Sequence, residues 1–235
     1  MTTLLVSAPL GATEPAPRTC SLEPGRASHE IEVDGARRRY HVAVGSRARA
    51  TGAAPLVFLW HGWGASGTSI QRVLDPDRDW PEAIVVAAEG LPRNFPGLPG
   101  PAKPGWQVAP EDHDGRDLRF FDAVLADTER RHCIDPTRTY STGYSNGGYF
   151  SNLLGCVRSE QLAGIAPVSG GGPPDYATCG APVPTLIQHG AWDEVVPFEV
   201  AMQSFAGWSR RNACDPAPEV RRSGCEASSG CDAAT

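Results

Sequence analysis

The sequence predicts an α/β fold built on a doubly wound, mostly parallel sheet that begins with an antiparallel hairpin. Short apolar segments of strand length alternate with segments whose apolar residues recur at helical spacing. A strand pair around an Asp-Gly turn precedes this alternation. The length of 235 residues suits one domain. We therefore expect a leader over residues 1–19 and a single domain over residues 20–235.

Each element is predicted from its local pattern. The hairpin joins residues 31–33 to 39–44 through Asp34-Gly35, a pair that favours a tight β-turn. Buried strands are predicted at 56–60, 83–88, 139–142, 164–168 and 185–188. Helices with one apolar stripe are predicted at 117–131, 146–154 and 197–210. Residues 90–112 are rich in Gly and Pro, which predicts a long surface loop over an active site.

Charge and hydropathy narrow the partners and the compartment. The 21 basic and 27 acidic residues give 21 − 27 = −6, which argues against nucleic acid or an anionic membrane as a partner. No apolar run reaches the roughly 18 residues of a membrane span. Residues 1–17 are typical of the tail of a secretory signal that lacks its basic start, with a disordered N-terminus as the alternative. We expect a secreted monomer.

The seven cysteines predict disulfides in an oxidising compartment, because their spacing matches no metal motif. The strand before residue 145 rises by nearly the same distance as the helix after it descends. Cys133 and Cys156 are therefore expected at the same end of the sheet, which predicts a bond between them. Cys214 is expected to bond to Cys225 or Cys231. Cys20 and Cys179 have no predicted partner, and the odd number means that one thiol is free or bonds to a cysteine outside this chain.

The strongest chemical motif is Gly143-Tyr144-Ser145-Asn146-Gly147, which lies between a predicted strand and a predicted helix. In a G-x-S-x-G elbow the turn is so sharp that the flanking positions require glycine, and the serine hydroxyl stands above the sheet edge. This pattern predicts Ser145 as the nucleophile and the backbone N–H of Asn146 as a donor to the developing oxyanion. An ordinary strand-to-helix turn is the alternative.

A second motif, His61-Gly62-Trp63-Gly64, follows the buried strand 56–60. Such a loop supplies the second oxyanion donor, which we assign to the backbone N–H of Trp63, and His61 is then expected to fix the loop by hydrogen bonding. Residues 62–67 also match G-x-G-x-x-G, with Glu89 where a ribose-binding acid belongs, so a dinucleotide-binding oxidoreductase is an alternative. Prolines interrupt the helix that this alternative requires.

A third motif, residues 189–197, begins where the strand 185–188 ends. The triad order of this fold is Ser, then an acid, then His, so Asp193 is predicted to be the acid that orients the imidazole. Glu194 is the second choice. A solvated acid pair near a helix N-terminus is the alternative without function.

With elbow, oxyanion loop and acid in this order, the sequence resembles the polyhydroxyalkanoate depolymerase and feruloyl esterase family of secreted α/β-hydrolases. The resemblance extends from about Arg39 to the end and includes residues 133–136, 143–148, 166–170 and 189–197, with Trp208, Asn212 and Cys214. It implies Ser145 as nucleophile and Asp193 as acid. It also implies feruloylated or acetylated plant polysaccharide, or short-chain polyester, as substrate.

The sequence departs from that family at the triad histidine, which lies there in a Gly-Gly-His-x-Trp-Pro stretch after the acid. The six histidines all precede Asp193: His29, His41, His61, His113, His132 and His189. His113 is the one conceivable substitute. We expect the catalytic histidine, together with an eighth cysteine, beyond Thr235, and hence a chain truncated at its C-terminus that is a poor catalyst.

The favoured function is a serine esterase that works through an acyl-enzyme and needs neither metal nor cofactor. A catalytically silent hydrolase fold that binds polysaccharide or polyester is an alternative of a different class. Trp63, Trp106 and Trp192 either form an aromatic wall for the acyl group or are buried core residues.

Overall fold

A six-stranded mixed sheet forms the centre of the computed structural model, which describes residues 20–95, 98–215, 219–221 and 225–232. The strands are β1 (Gly25–Val33), β2 (Ala36–Val44), β3 (Ala54–Trp60), β4 (Ile84–Ala88), β5 (Leu91–Phe95), β6 (Leu98–Gly105), β7 (Ile134–Tyr144), β8 (Gly164–Val168), β9 (Glu219–Arg221) and β10 (Cys225–Ala227). The helices are α1 (Gly67–Ile70), α2 (Pro76–Asp79), α3 (Arg116–Arg131), α4 (Asn146–Val157) and α5 (Phe198–Arg211), with 3-10 turns at Ala48–Thr51, Asp112–Gly115, Ser159–Gln161 and Tyr176–Thr178.

The sheet order is β1-β2-β4-β3-β7-β8, which confirms the predicted α/β architecture. The pairs β1–β2 and β2–β4 are antiparallel, and β4, β3, β7 and β8 are parallel. Asp34 (φ 52°) and Gly35 (φ 74°) both adopt the left-handed conformation of a two-residue hairpin turn. The carboxyl ends of the parallel strands meet at one edge of the sheet, where α/β proteins place their sites.

The predicted strand 185–188 continues the parallel sheet beside β8. Its pairing consists of the bridges Ile165–Thr185 and Val168–Gln188. The Leu186 N–H donates to the Ile165 carbonyl at 2.9 Å. The segment that follows, which contains the predicted acid, therefore starts at the same sheet edge as the serine elbow.

Residues 90–112 differ from the predicted surface loop. Much of the segment is the antiparallel hairpin β5–β6, in which Pro92 pairs with Pro104. Proline is tolerated there because the hairpin is a separate two-stranded ribbon, with no third strand that requires the missing N–H. Arg93 anchors the hairpin from inside, since it is 5% exposed and its guanidinium donates to the Trp106 carbonyl.

Aromatic residues fill the core beneath the carboxyl ends of β3 and β7. The Trp60 ring lies 4.9 Å from that of Phe150 and 5.0 Å from that of Trp106, and Phe121 packs beside them. All four side chains are completely buried. This rigid base holds the loops that leave the two strands. In the described part of the chain, no helix is long and apolar enough to cross a membrane.

Three disulfides correct the predicted pairing. Cys20 bonds to Cys133 and Cys156 to Cys179, so the predicted Cys133–Cys156 bond is wrong. The lengths of the strand and the helix determine how high each cysteine lies along the sheet, but not which residues lie beside it. Cys133 is instead adjacent to the N-terminal segment, where Ser21 bridges His132, and the Gly180 N–H donates to the Cys156 carbonyl. Cys214 bonds to Cys231, one of its two predicted partners.

Candidate active site

Ser145 occupies a strained turn between β7 and α4. Its backbone has φ 54° and ψ −119°, a conformation that costs a non-glycine residue about 1–3 kcal/mol. A β-carbon at Gly143 would lie 2.5 Å from the Gly147 carbonyl oxygen, and one at Gly147 would collide with the Trp60 carbonyl. The two glycines are therefore required by the close approach of β3, β7 and α4. Ser145 itself is partly exposed.

The loop after β3 lies directly against this turn. A β-carbon built on Gly62 would be 3.6 Å from Cβ of Ser145. The backbone N–H groups of Trp63 and Asn146 donate no hydrogen bond to any other described residue. The two predicted oxyanion donors are therefore unused. The glycines at 62–67 lead only into the four-residue α1, not into the long helix that a dinucleotide site needs.

His61 holds the loop through both ring nitrogens. Nδ1–H donates to the Gly62 carbonyl at 2.8 Å, and Nε2 accepts the Gly90 N–H at 2.9 Å. The side chain is completely buried, and this burial lowers the pKa of His61 so that the imidazole is neutral. These bonds agree with the expectation that His61 is structural.

Asp193 is held in place by backbone amides. Its Oδ1 accepts the N–H groups of Val195 at 3.0 Å and Val196 at 2.9 Å, and its side chain is 17% exposed. The Val196 and Val195 hydrogen bonds are the main reason that the pKa of Asp193 lies below its ordinary value. Glu194 is exposed, so the structure favours Asp193 as the ordered acid of the pair.

The acid faces the elbow side of the sheet. The Ser169 hydroxyl also lowers the pKa of Asp193, and Ser169 directly follows β8, the neighbour of the elbow strand. Burial raises the pKa of Tyr149 on α4, and the charge of Asp193 raises it further. Both effects link the Asp193 carboxylate electrostatically to residues beside the elbow.

The histidines, all within the described residues, make no hydrogen bond to Ser145. His189 is next to the acid, with Nε2 at 3.7 Å from Asp193 Oδ2, but Nε2 donates to the Val196 carbonyl at 2.7 Å. Its Nδ1 is buried without a described partner. His113 lies at the surface, where partial desolvation of its ring, followed by the charges of Arg116 and Arg93, lowers its pKa.

The tryptophans separate into core and surface residues. Trp106 is completely buried, and its indole N–H donates to the His61 carbonyl at 2.9 Å. The predicted substrate-wall role of Trp106 is therefore wrong, and the core alternative holds. Trp192 is 94% exposed. Trp63 is partly exposed, with Lys103 Nζ at 4.7 Å from the centre of its ring.

Two features of the site escaped the sequence patterns. Ser169 has φ 47° and lowers the pKa of Asp193; the sequence signals for it were its place in the 166–170 stretch of the resemblance and its position after a parallel strand. The elbow pattern assigns a role to the Asn146 backbone alone and therefore does not predict what the Asn146 side chain contacts. No group of three metal-binding side chains occurs in the described ranges.

The lowered pKa of Asp193 leads to a stability prediction. A carboxyl group whose pKa is lower in the folded than in the unfolded state stabilises the fold at pH values above its unfolded pKa of about 3.9. This stabilisation is lost as the pH falls through the pKa of the folded state. We expect Asp193→Asn to lower Tm at pH 7 by about 2–4 °C, because charge-assisted hydrogen bonds become neutral ones. The difference should shrink in acid. Thermal unfolding between pH 7 and 3 measures this, with Glu194→Gln as control; equal effects of both variants would contradict it.

The sequence is similar to those of known ester hydrolases. Feruloyl esterase D of Neurospora crassa is 31% identical over 191 residues, covering 79% of this chain and 63% of that protein. Probable feruloyl esterase C of Aspergillus niger is 28% identical over 214 residues, covering 88% and 72%. The chain therefore spans less than two thirds of the Neurospora protein. No protein-family model matches the sequence.

Solved structures share the fold. A ferulic acid esterase from Anaeromyces mucronatus superposes with a TM-score of 0.59 at 16% identity over 80% of each chain. An acetyl xylan esterase from Aspergillus awamori gives 0.61 at 13% identity over 82% of this chain and 83% of that one. At such identities the likeness establishes the fold alone. Together with the sequence relatives, it shows that this chain has an α/β-hydrolase fold and that its sequence is similar to those of feruloyl esterases.

Proposed function

We propose that this chain is a serine ester hydrolase that forms an acyl-enzyme at Ser145. The observation that carries the proposal is the strained, partly exposed Ser145 at the start of α4, packed against a loop whose Trp63 amide is unused. A turn that only joined a strand to a helix would have no reason to maintain this strain.

The proposed reaction has two steps. Ser145 Oγ attacks the ester carbonyl carbon, its proton passes to a base, and the carbonyl oxygen becomes an oxyanion that the amides of Trp63 and Asn146 bind. The alcohol leaves with a proton, and water then releases the acid from the acyl-enzyme. The proposed role of Asp193 is to stabilise a protonated imidazole during these transfers.

The proposed substrates are feruloyl or acetyl esters of plant polysaccharide, with short-chain polyesters as a second class. The feruloyl esterase relatives and the exposed Trp192 near Asp193 support an aromatic acyl group. We also propose that the protein is secreted and monomeric. The three disulfides support export, because such bonds persist in oxidising compartments.

A substrate panel tests the proposal. We expect methyl ferulate and acetyl xylan to form an acyl-enzyme in preference to oligomers of 3-hydroxybutyrate. Mass spectrometry of the intact chain detects this adduct. The adduct should be absent from Ser145→Ala. Preference for the polyester would mean that polyester, not feruloyl or acetyl ester, is the substrate class. No adduct with any ester, even with free imidazole added to accept the Ser145 proton, would contradict the esterase proposal.

A silent binding protein is the second candidate, since no described imidazole hydrogen-bonds to Ser145. Such a protein would retain feruloylated arabinoxylan in affinity electrophoresis but give no burst of nitrophenol from 4-nitrophenyl butyrate. A burst equal to the enzyme concentration would exclude it.

A further inference from the structure

The Asn146 side chain forms a reciprocal pair of hydrogen bonds with the backbone of Trp106. Its Oδ1 accepts the Trp106 N–H at 2.7 Å, and its Nδ2 donates to the Trp106 carbonyl at 2.9 Å. Both residues are completely buried. An asparagine that satisfies a backbone donor and a backbone acceptor of one residue fixes that residue in a single orientation.

Trp106 extends this connection to the loop after β3. Its indole N–H donates to the His61 carbonyl at 2.9 Å, and the His61 ring bonds in turn to Gly62 and Gly90. The elbow and the loop are thus joined by an unbroken set of buried hydrogen bonds.

A second contact reaches Trp63 itself. A β-carbon on Gly105, the last residue of β6, would lie 2.6 Å from Asn146 Oδ1 and 3.0 Å from Trp63 Cδ1. Glycine is therefore needed where the hairpin passes between the Asn146 side chain and the Trp63 indole. The indole N–H also donates to the Arg93 carbonyl at 2.9 Å, which fastens Trp63 to the same hairpin.

We propose that Asn146 is a positioning residue whose side chain holds the backbone amides of Trp63 and Asn146 in a fixed relation. The connection runs through Trp106, His61 and the β5–β6 hairpin. The inference rests on the proposed function, because it assigns these amides to one oxyanion site. Its physical basis is that oxyanion donors accelerate a reaction only when they are already oriented before charge develops.

The chain offers a matched control on the same helix. Asn152 is also completely buried, its Oδ1 accepts the Trp208 indole N–H at 2.8 Å, and its Nδ2 donates to the Gly171 carbonyl at 2.8 Å. Replacing either asparagine by alanine removes similar buried hydrogen bonds. Only Asn146 is joined to the loop after β3.

The test compares Asn146→Ala with Asn152→Ala by hydrogen exchange and by the rate of phosphonylation with a fluorophosphonate. We expect similar losses in Tm, faster exchange at residues 61–65 in Asn146→Ala alone, and phosphonylation slowed by about 10²-fold in that variant. Unchanged exchange at 61–65, or equal acceleration in both variants, would overturn the inference.

Two further arms keep the outcomes separate. If Asn146→Ala fails to fold, Gly105→Ala disturbs the same contact without removing the asparagine and should also accelerate exchange at residues 61–65; unchanged exchange there would overturn the inference. If the unsubstituted chain is not labelled at Ser145, the proposed function fails, while the exchange comparison still decides whether Asn146 orders the loop.

Discussion

Ser145→Ala is expected to abolish phosphonylation of the chain by a fluorophosphonate while leaving Tm nearly unchanged or slightly raised. The loss should be complete because the hydroxyl is the attacking group. The stability should persist because, in the described structure, the Ser145 hydroxyl makes no hydrogen bond. Reactive sites held in strained geometry commonly gain stability when they are disabled. Intact mass spectrometry and peptide mapping measure the first effect, and calorimetry measures the second.

Ser28 provides the control for this experiment. Its Oγ lies 2.7 Å from His41 Nδ1, and His41 Nε2 lies 2.9 Å from Glu89 Oε1, which gives a Ser-His-acid chain that runs from β1 through β2 to the residue after β4. Unlike Ser145, Ser28 lies in a regular antiparallel ladder and has no left-handed backbone. Ser28→Ala should therefore retain full labelling at Ser145. A label on the Ser28 peptide, or labelling that survives Ser145→Ala, would contradict the nucleophile assignment.

The fold and the elbow were predictable because both depend on local sequence. Alternating apolar segments determine the strands, and the G-x-S-x-G pattern marks the turn even though Gly143 and Gly147 also face Trp60 on the neighbouring strand β3. The β5–β6 hairpin was not predictable in the same way. Its proline content is typical of a loop, and it is ordered by long-range contacts such as that of Arg93 with Trp106.

The same distinction applies to the site and the disulfides. The choice between Asp193 and Glu194 depends on which carboxylate faces the amides of Val195 and Val196, and this is a property of the folded turn. The partner of Cys133 depends on the segment around Ser21, more than a hundred positions away along the chain. Element lengths alone specify neither neighbour.

The 235-residue chain is expected to hydrolyse 4-nitrophenyl butyrate several orders of magnitude more slowly than the usual enzyme rate of about 10 s⁻¹. A serine hydroxyl remains protonated near neutral pH, so its attack needs a positioned base. His61 uses both ring nitrogens, and His189 donates from Nε2 to the backbone. Loss of a triad histidine lowers turnover by about 10⁶-fold. The oxyanion donors and substrate binding still accelerate the reaction by about 10³-fold over the uncatalysed reaction in water.

Free imidazole should therefore accelerate hydrolysis by the unsubstituted chain and not by Ser145→Ala, because it can enter the partly exposed site and accept the Ser145 proton. Asp193→Asn should weaken this rescue more than Glu194→Gln, since the ordered carboxylate orients the imidazole and stabilises its cation. Initial rates against imidazole concentration measure both effects. Turnover of tens per second without imidazole would contradict the prediction. One of the six histidines would then be the base, and alanine substitution, beginning with His113 and His189, would identify it.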